Sequence, residues 1–124
     1  PENGILADYT ADCLIAHNTI HDPAGRLKRL IRLVHDNGGL AVVNNLLSGP
    51  PMRVETESQV HSEGNVTQDV GQWFVDVAAG NLHLNARCQE VVDRARALER
   101  VPQDFDKETR REKTDVGADQ WRGM

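Results

Sequence analysis

Aromatic side chains are scarce in this 124-residue chain: two Trp, two Phe and one Tyr, 4% of the residues. A core built on stacked rings is excluded, so aliphatic side chains must supply most of the buried area. Long apolar runs are missing too. The longest unbroken ones, such as Leu40-Ala41-Val42-Val43, have four residues, far short of the roughly 18 that cross a bilayer, and no membrane partner is expected. No basic segment leads into an apolar stretch, as an export signal requires. Cysteine is limited to Cys13 and Cys88, which excludes a disulfide scaffold and fits a reducing compartment, read here as the cytoplasm. Positive charge is in deficit: 14 Lys and Arg against 19 Asp and Glu, net −5, with a pI of about 5.5. Such a chain is a poor binder of phosphate backbones, so nucleic acid is not expected as a partner. Gly38-Gly39 lacks the Lys-Ser/Thr of a phosphate loop, and no cofactor is expected.

What is present reads as helices followed by strands. Leu6, Tyr9, Cys13 and Ala16 recur at helical spacing over 5–16, which predicts a first helix. Asp22 and Pro23 form an N-cap and first position, Leu27, Leu30, Ile31 and Val34 make one stripe, and Asn37-Gly38-Gly39 ends it; this predicts a second helix. Its basic residues Arg26, Lys28, Arg29 and Arg32 read as a solvated face. Residues 40–47 fit a short helix or a buried strand. From 52 to 61 apolar or small residues alternate strictly with polar ones, and they do so again from 82 to 89, the period of strands. Ala79-Gly80-Asn81 suits a hairpin loop, so 70–78 is read as the strand before it. Val91, Val92, Ala95 and Leu98 predict a short helix ended by Pro102. Eleven of residues 103–124 are charged, and this stretch is read as a tail on a single domain spanning 1–102. No internal repeat is seen.

The sum is an α+β domain, with N-terminal helices packed on an antiparallel β-meander and a short C-terminal helix; an all-α bundle is the alternative. The chain starts at Pro1 without an initiator methionine, which leaves open an upstream helix.

The order of three landmarks resembles the SnoaL-like branch of the NTF2-like superfamily. They are the run Tyr9-Thr10-Ala11-Asp12 through His17 with the Asp22-Pro23 turn, the turn Glu63-Gly64-Asn65-Val66, and Phe74, Asp76-Val77 and Gly80-Asn81-Leu82. The resemblance covers about 6–102. It implies a cone of sheet around helices, open to a small apolar or polyketide-like ligand, in a dimer. Where that group carries an acidic-His-aromatic-Asp segment, this chain reads Leu84-Asn85-Ala86-Arg87.

The candidate residues follow. His17, after Leu14-Ile15-Ala16, and Asp76, between two valines, are the candidate acid/base groups. Tyr9, His61, Trp73, His83 and Arg87 are the candidate pocket wall, with Arg87 placed to hold an oxygen anion. His17 and His21 have the spacing of helical metal ligands but lack the intervening glutamate of His-Glu-x-x-His, and no metal is assigned. The expected function is therefore a small-molecule pocket protein, an isomerase, cyclase or dehydratase. A non-catalytic dimerisation or protein-interaction module, or a helical interaction protein, is the alternative.

Overall fold

The computed structural model describes residues 3–22, 25–48, 52–67, 71–85 and 91–121. The first half is a coil of short parallel strands. β1 (Asn3–Ala11), β2 (Leu14–Ala16) and β3 (Thr19–His21) make one turn; β4 (Arg29–Gly38), β5 (Ala41–Val43) and β6 (Leu46–Ser48) make the next. β7 (Arg53–Glu55), β8 (His61–Glu63) and a bridge at Val66 make the third. Equivalent strands of successive turns pair in parallel, giving three sheets ordered β1-β4-β7, β2-β5-β8 and β3-β6.

This overturns the expected α+β meander and the all-α bundle alike. Among the described residues the helical pieces are two three-residue 3-10 turns, Gly71–Trp73 and Val77–Ala79. The supposed stripe of the first helix faces out: Leu6 is 51% and Tyr9 72% exposed, and Cys13 is exposed too. Ile5 and Ala7 pack inward instead, a period of two. The second stripe is equally a strand, with Leu30, Ile31 and Leu33 fully buried on β4. Asp22 does cap, but it caps a bend: its carboxylate accepts from the Arg26 and Leu27 backbone N–H groups at 3.0 and 2.8 Å. Of the predicted 52–61 strand, 53–55 is strand, 56–60 turns a corner and His61 opens β8. Residues 91–93 form a turn where a helix was predicted.

The coil turns because its corners hold residues that tolerate positive φ. Asp12 (φ 53°) stacks with Gly39 (φ 76°) between the first and second sheets, and His17 (φ 53°), Asn44 (φ 60°) and Gly64 (φ 71°) stack between the second and third. Asn, Asp and Gly adopt this region at low cost. A Cβ on Gly39 would collide with Asp12 Oδ1, so a side chain there would break the stack.

Beside the second corner runs a ladder. The Asn18 backbone N–H and Nδ2 both donate to Asn45 Oδ1, at 2.9 and 3.1 Å, 27 residues away. The Asn45 N–H and Nδ2 donate in the same way to Asn65 Oδ1, both at 2.9 Å, 20 residues away. The chain is thus repetitive after all. Its corner reads His17-Asn18-Thr19-Ile20, then Asn44-Asn45-Leu46-Leu47, then Gly64-Asn65-Val66-Thr67, and the unequal spacing hides it from a search for a fixed period. Inside, Ile5 stacks on Ile31, Ile15 on Val42 and Ile20 on Leu47. These rows form the coil's aliphatic core, where each fully buried side chain contributes about 1.5–3 kcal/mol.

The second half lies along the third sheet. β9 (Phe74–Asp76) and β10 (Asn81–Leu84) form the predicted hairpin, closed by Gly80 at φ 77°. β11 (Ala95–Arg96) pairs with β12 (Lys113–Thr114). A second core of Trp73, Phe74, Leu84, Val91, Ala95 and Val116 seats on Leu46 of the coil. Among the described residues no helix is long and apolar enough to cross a membrane.

The ladder's middle rung should matter more than its first. Asn45→Ala leaves the Asn18 N–H without its acceptor and removes the Nδ2 donor from the Ile15 carbonyl and from Asn65 Oδ1, which keeps only the backbone N–H of residue 45. We expect a loss of about 3 kcal/mol in urea denaturation, against about 1 kcal/mol for Asn18→Ala. Equal losses would remove the ladder from its place in the stability of the coil.

Candidate functional site

The charged 103–121 segment packs against the coil and carries the densest buried polar network among the described residues. Asp104, Arg110, Thr114, Asp115, Asp119 and Gln120 are all buried. Arg110 is its hub. Its Nε donates to Gln103 O, Nη1 to Thr114 Oγ1 and Asp115 O, and Nη2 to Gly117 O and Ala118 O, at 3.0 to 3.3 Å. All five guanidinium N–H groups are thereby satisfied. Burial draws its pKa down, and the charges of Asp104, Asp115 and Asp119 oppose that shift.

Each acid has its own donors. Asp104 accepts from the backbone N–H groups of Asp106, Glu108 and Gln120, each at 2.9 Å. Burial alone would raise its pKa, but these donors and Arg110 outweigh it and hold the pKa below the usual value. Asp115 accepts from Asp93 N–H at 2.8 Å and Trp121 N–H at 2.7 Å. Asp119 accepts from Leu84 N–H at 2.8 Å. For both, burial prevails and lifts the carboxyl above its ordinary range.

The network places loop 115–119 against the coil's corner. Gly117 N–H donates to Asn44 O and Ala118 N–H to Thr19 Oγ1, both at 2.8 Å. Between this loop, the hairpin and Phe105 lies a cleft of about 330 Å³, lined by Thr19, Leu82, His83, Phe105, Ala118 and Asp119. Its walls are chiefly apolar and its polar groups converge, which is the usual make-up of a ligand site. His83 Nε2 is 2.7 Å from Asp106 Oδ2, and His83 Nδ1 is 2.7 Å from Asn81 Oδ1. Both ring nitrogens therefore face oxygen acceptors. Phe105, 75% exposed, meets the imidazole edge-on at 6.1 Å. Donor atoms of His83, Asp106 and Asp119 lie within 4.8 Å of one another, a mixed N/O set that suits a divalent transition metal.

A larger, open groove of about 660 Å³ runs along the first sheet past Asp36, Glu55 and Glu57. Its acids are largely engaged. Glu55 is held by Arg32 in a two-pronged pair at 3.2 and 3.0 Å, the first cause of its lowered pKa. Asp36 accepts from Ser58 Oγ at 2.9 Å.

The structure scatters the residues singled out from the sequence. His17 is buried in the corner, its Nδ1 donating to Gly117 O at 3.1 Å and its Nε2 accepting from Asn44 Nδ2 at 3.2 Å. That is the neutral tautomer, and burial followed by the Arg110 charge lowers its pKa from 6.5 to about 4. Asp76 is exposed and caps the turn at 77–79 by accepting from Ala79 N–H. Tyr9 lies flat on His35 at the surface, ring centroids 4.7 Å apart. His61 is exposed beside Glu63, and Trp73 is in the second core. His21 bonds Ser48 Oγ rather than sharing a ligand set with His17. Arg87 and Cys88 lie outside the described residues. His83 is the predicted residue that lines the cleft. Phe105, Asp106 and Asp119 were passed over within the charged stretch; the alternate acids at 104, 106 and 108 were the visible signal.

Two substitutions test this arrangement. Arg110→Met leaves four carbonyls and three buried acids without their cation. We expect a loss of about 3–5 kcal/mol in urea and faster amide exchange across 103–121, with the coil's own amides still protected. For His17, the unfolded chain takes up the proton first, because the folded pKa is the lower one. Stability is therefore full above about pH 6.5 and falls as the pH drops toward 4, by about 2–3 kcal/mol. His17→Asn, which keeps a residue tolerant of positive φ, should flatten that fall, and an unchanged pH profile would contradict the buried neutral imidazole. Compared with protein-family models, with curated proteins and with solved structures, the chain matches none.

Proposed function

We propose that this chain is a small-molecule-binding protein in which a parallel coil acts as scaffold and the cleft at His83, Asp106 and Asp119 is the ligand site. The convergence of an imidazole and the Asp119 carboxylate on one apolar-walled cleft, with Asp106 paired to that imidazole, carries the reading. The ligand is a compact, partly apolar molecule with a hydroxyl or amine head. Its apolar body lies against Leu82, Ala118 and Phe105, and its head donates to the Asp119 or Asp106 carboxylate. The His83–Asp106 pair sits at the rim, where an imidazole backed by a carboxylate can pass a proton to or from a bound molecule. Acid/base turnover of the isomerase or dehydratase kind is therefore within its chemistry, with His83 and Asp119 in the roles first assigned to His17 and Asp76. A cytoplasmic setting is part of the proposal, and the exposed free thiol of Cys13 supports it.

The test is a panel of small aromatic and aliphatic amines and alcohols followed by amide NMR. Binders should move the signals of Thr19, Leu82, His83 and Ala118 together. His83→Ala and Asp119→Asn should each weaken them by tenfold or more, the latter retaining the acceptor for Leu84 N–H. Shifts clustered elsewhere, or affinities indifferent to both substitutions, would overturn the assignment.

A further inference from the structure

The two ends of the coil are finished differently. At the far end, β7 and β8 have three residues each and expose Arg53, Glu55, His61 and Glu63. Short, charged edges resist further pairing. At the near end, β1 offers a nine-residue edge with no Lys or Pro and a single charged residue, Asp8. β1, β2 and β3 each end their sheets on this same side.

The asparagine ladder has the same asymmetry. Each carboxamide oxygen receives the N–H and Nδ2 of the asparagine one turn before it. At the far end Asn65 Nδ2 donates to Val42 O of the second turn at 2.8 Å, as Asn45 Nδ2 does to Ile15 O, and its other N–H goes to Ser62 Oγ of its own turn at 3.2 Å in place of a further asparagine. At the near end no described residue donates to Asn18 Oδ1. The apolar rows agree. Ile31, Val42 and Leu47 in the second turn are 0–1% exposed, whereas Ile5, Ile15 and Ile20, their equivalents in the first, are only partly buried. In the third turn Ser62 stands beside Val42, so one of these rows ends in a hydroxyl.

We infer that the β1–β2–β3 edge is a docking surface for one further parallel turn of the same coil, running into β1 and carrying an asparagine in register with Asn18. The occupant must bring a backbone N–H and a carboxamide N–H₂ to Asn18 Oδ1, and aliphatic side chains above Ile5, Ile15 and Ile20. A second copy stacked head to tail fits less well, since its far end is charged and its Asn65 Nδ2 is already engaged with Val42 O and Ser62 Oγ.

The coil's own register supplies a probe. Asn3 pairs with Arg29, so a duplicate of residues 3–28 placed directly ahead of residue 3 puts β1 where β4 now sits. In the full chain extended this way, we expect Tm to rise by about 5 °C and β1 amide exchange to slow at least tenfold. Changing the asparagine of the added turn alone, Asn18→Leu in the duplicate, should cancel much of both effects. An unchanged Tm with rapid proteolysis of the added turn would overturn the inference. So would a dimer of the unextended chain in light scattering with β1 amides already protected, which would make a second copy the occupant.

Discussion

The Asn18–Asn45–Asn65 ladder is the constraint on which the coil depends. Parallel strands three residues long make too few bonds to fix their own register, yet a slip of one residue would invert every side chain. The ladder removes that freedom. Each asparagine is tied by side chain and backbone to its equivalent 27 or 20 residues away, beside a corner whose positive φ few residue types accept. With the corner in place, Ile15, Val42, Ile20 and Leu47 are brought into line, and the aliphatic rows supply the burial that so few aromatics could not.

The second half solves another problem. Its hairpin and short β11–β12 pair bury a modest core, and much of 103–121 is too polar to fold by burial alone. Arg110 organises it by meeting four carbonyls and a hydroxyl, while Asp104, Asp115 and Asp119 collect backbone N–H groups around it. Such a network is stable only when nearly every member is satisfied. The loop it fixes is the one that meets His17, Thr19 and Asn44. The cleft therefore exists only because the two halves are locked together, and its acids are partly the same ones that build the segment.

This placement gives the site its character. Asp119 is buried enough to have its carboxyl raised, yet it borders the cleft. Asp106 and His83 stand at the more exposed rim, paired and with Phe105 across them. A ligand of the proposed kind would meet the His83–Asp106 pair at the rim and the more deeply buried Asp119 between apolar walls.

Some of this was legible from the residues alone. The alternation around Phe74 and Leu84 with Gly80 between them determined a hairpin, and Gly39 and Gly64 marked an element end and a turn, because those are local backbone preferences; Asp12 and Asn44, read inside a helix and inside a helix or strand, turned out to be corners. His83 on a strand followed from the same local patterns, whereas Trp73, read as pocket wall, belongs to the second core. The helices read over 5–16 and 22–37 did not survive, since Leu27, Leu30, Ile31 and Val34 fit both a helical stripe and a strand row. What settles such a choice is the neighbour: Ile31 lies beside Ile5, and Leu47 beside Ile20. The tertiary structure also decided the site. Asp106 and Asp119 become chemically interesting only when Arg110 folds a charged stretch back onto the coil, and a contact between residue 17 and residue 117 has no signature in the sequence around either one.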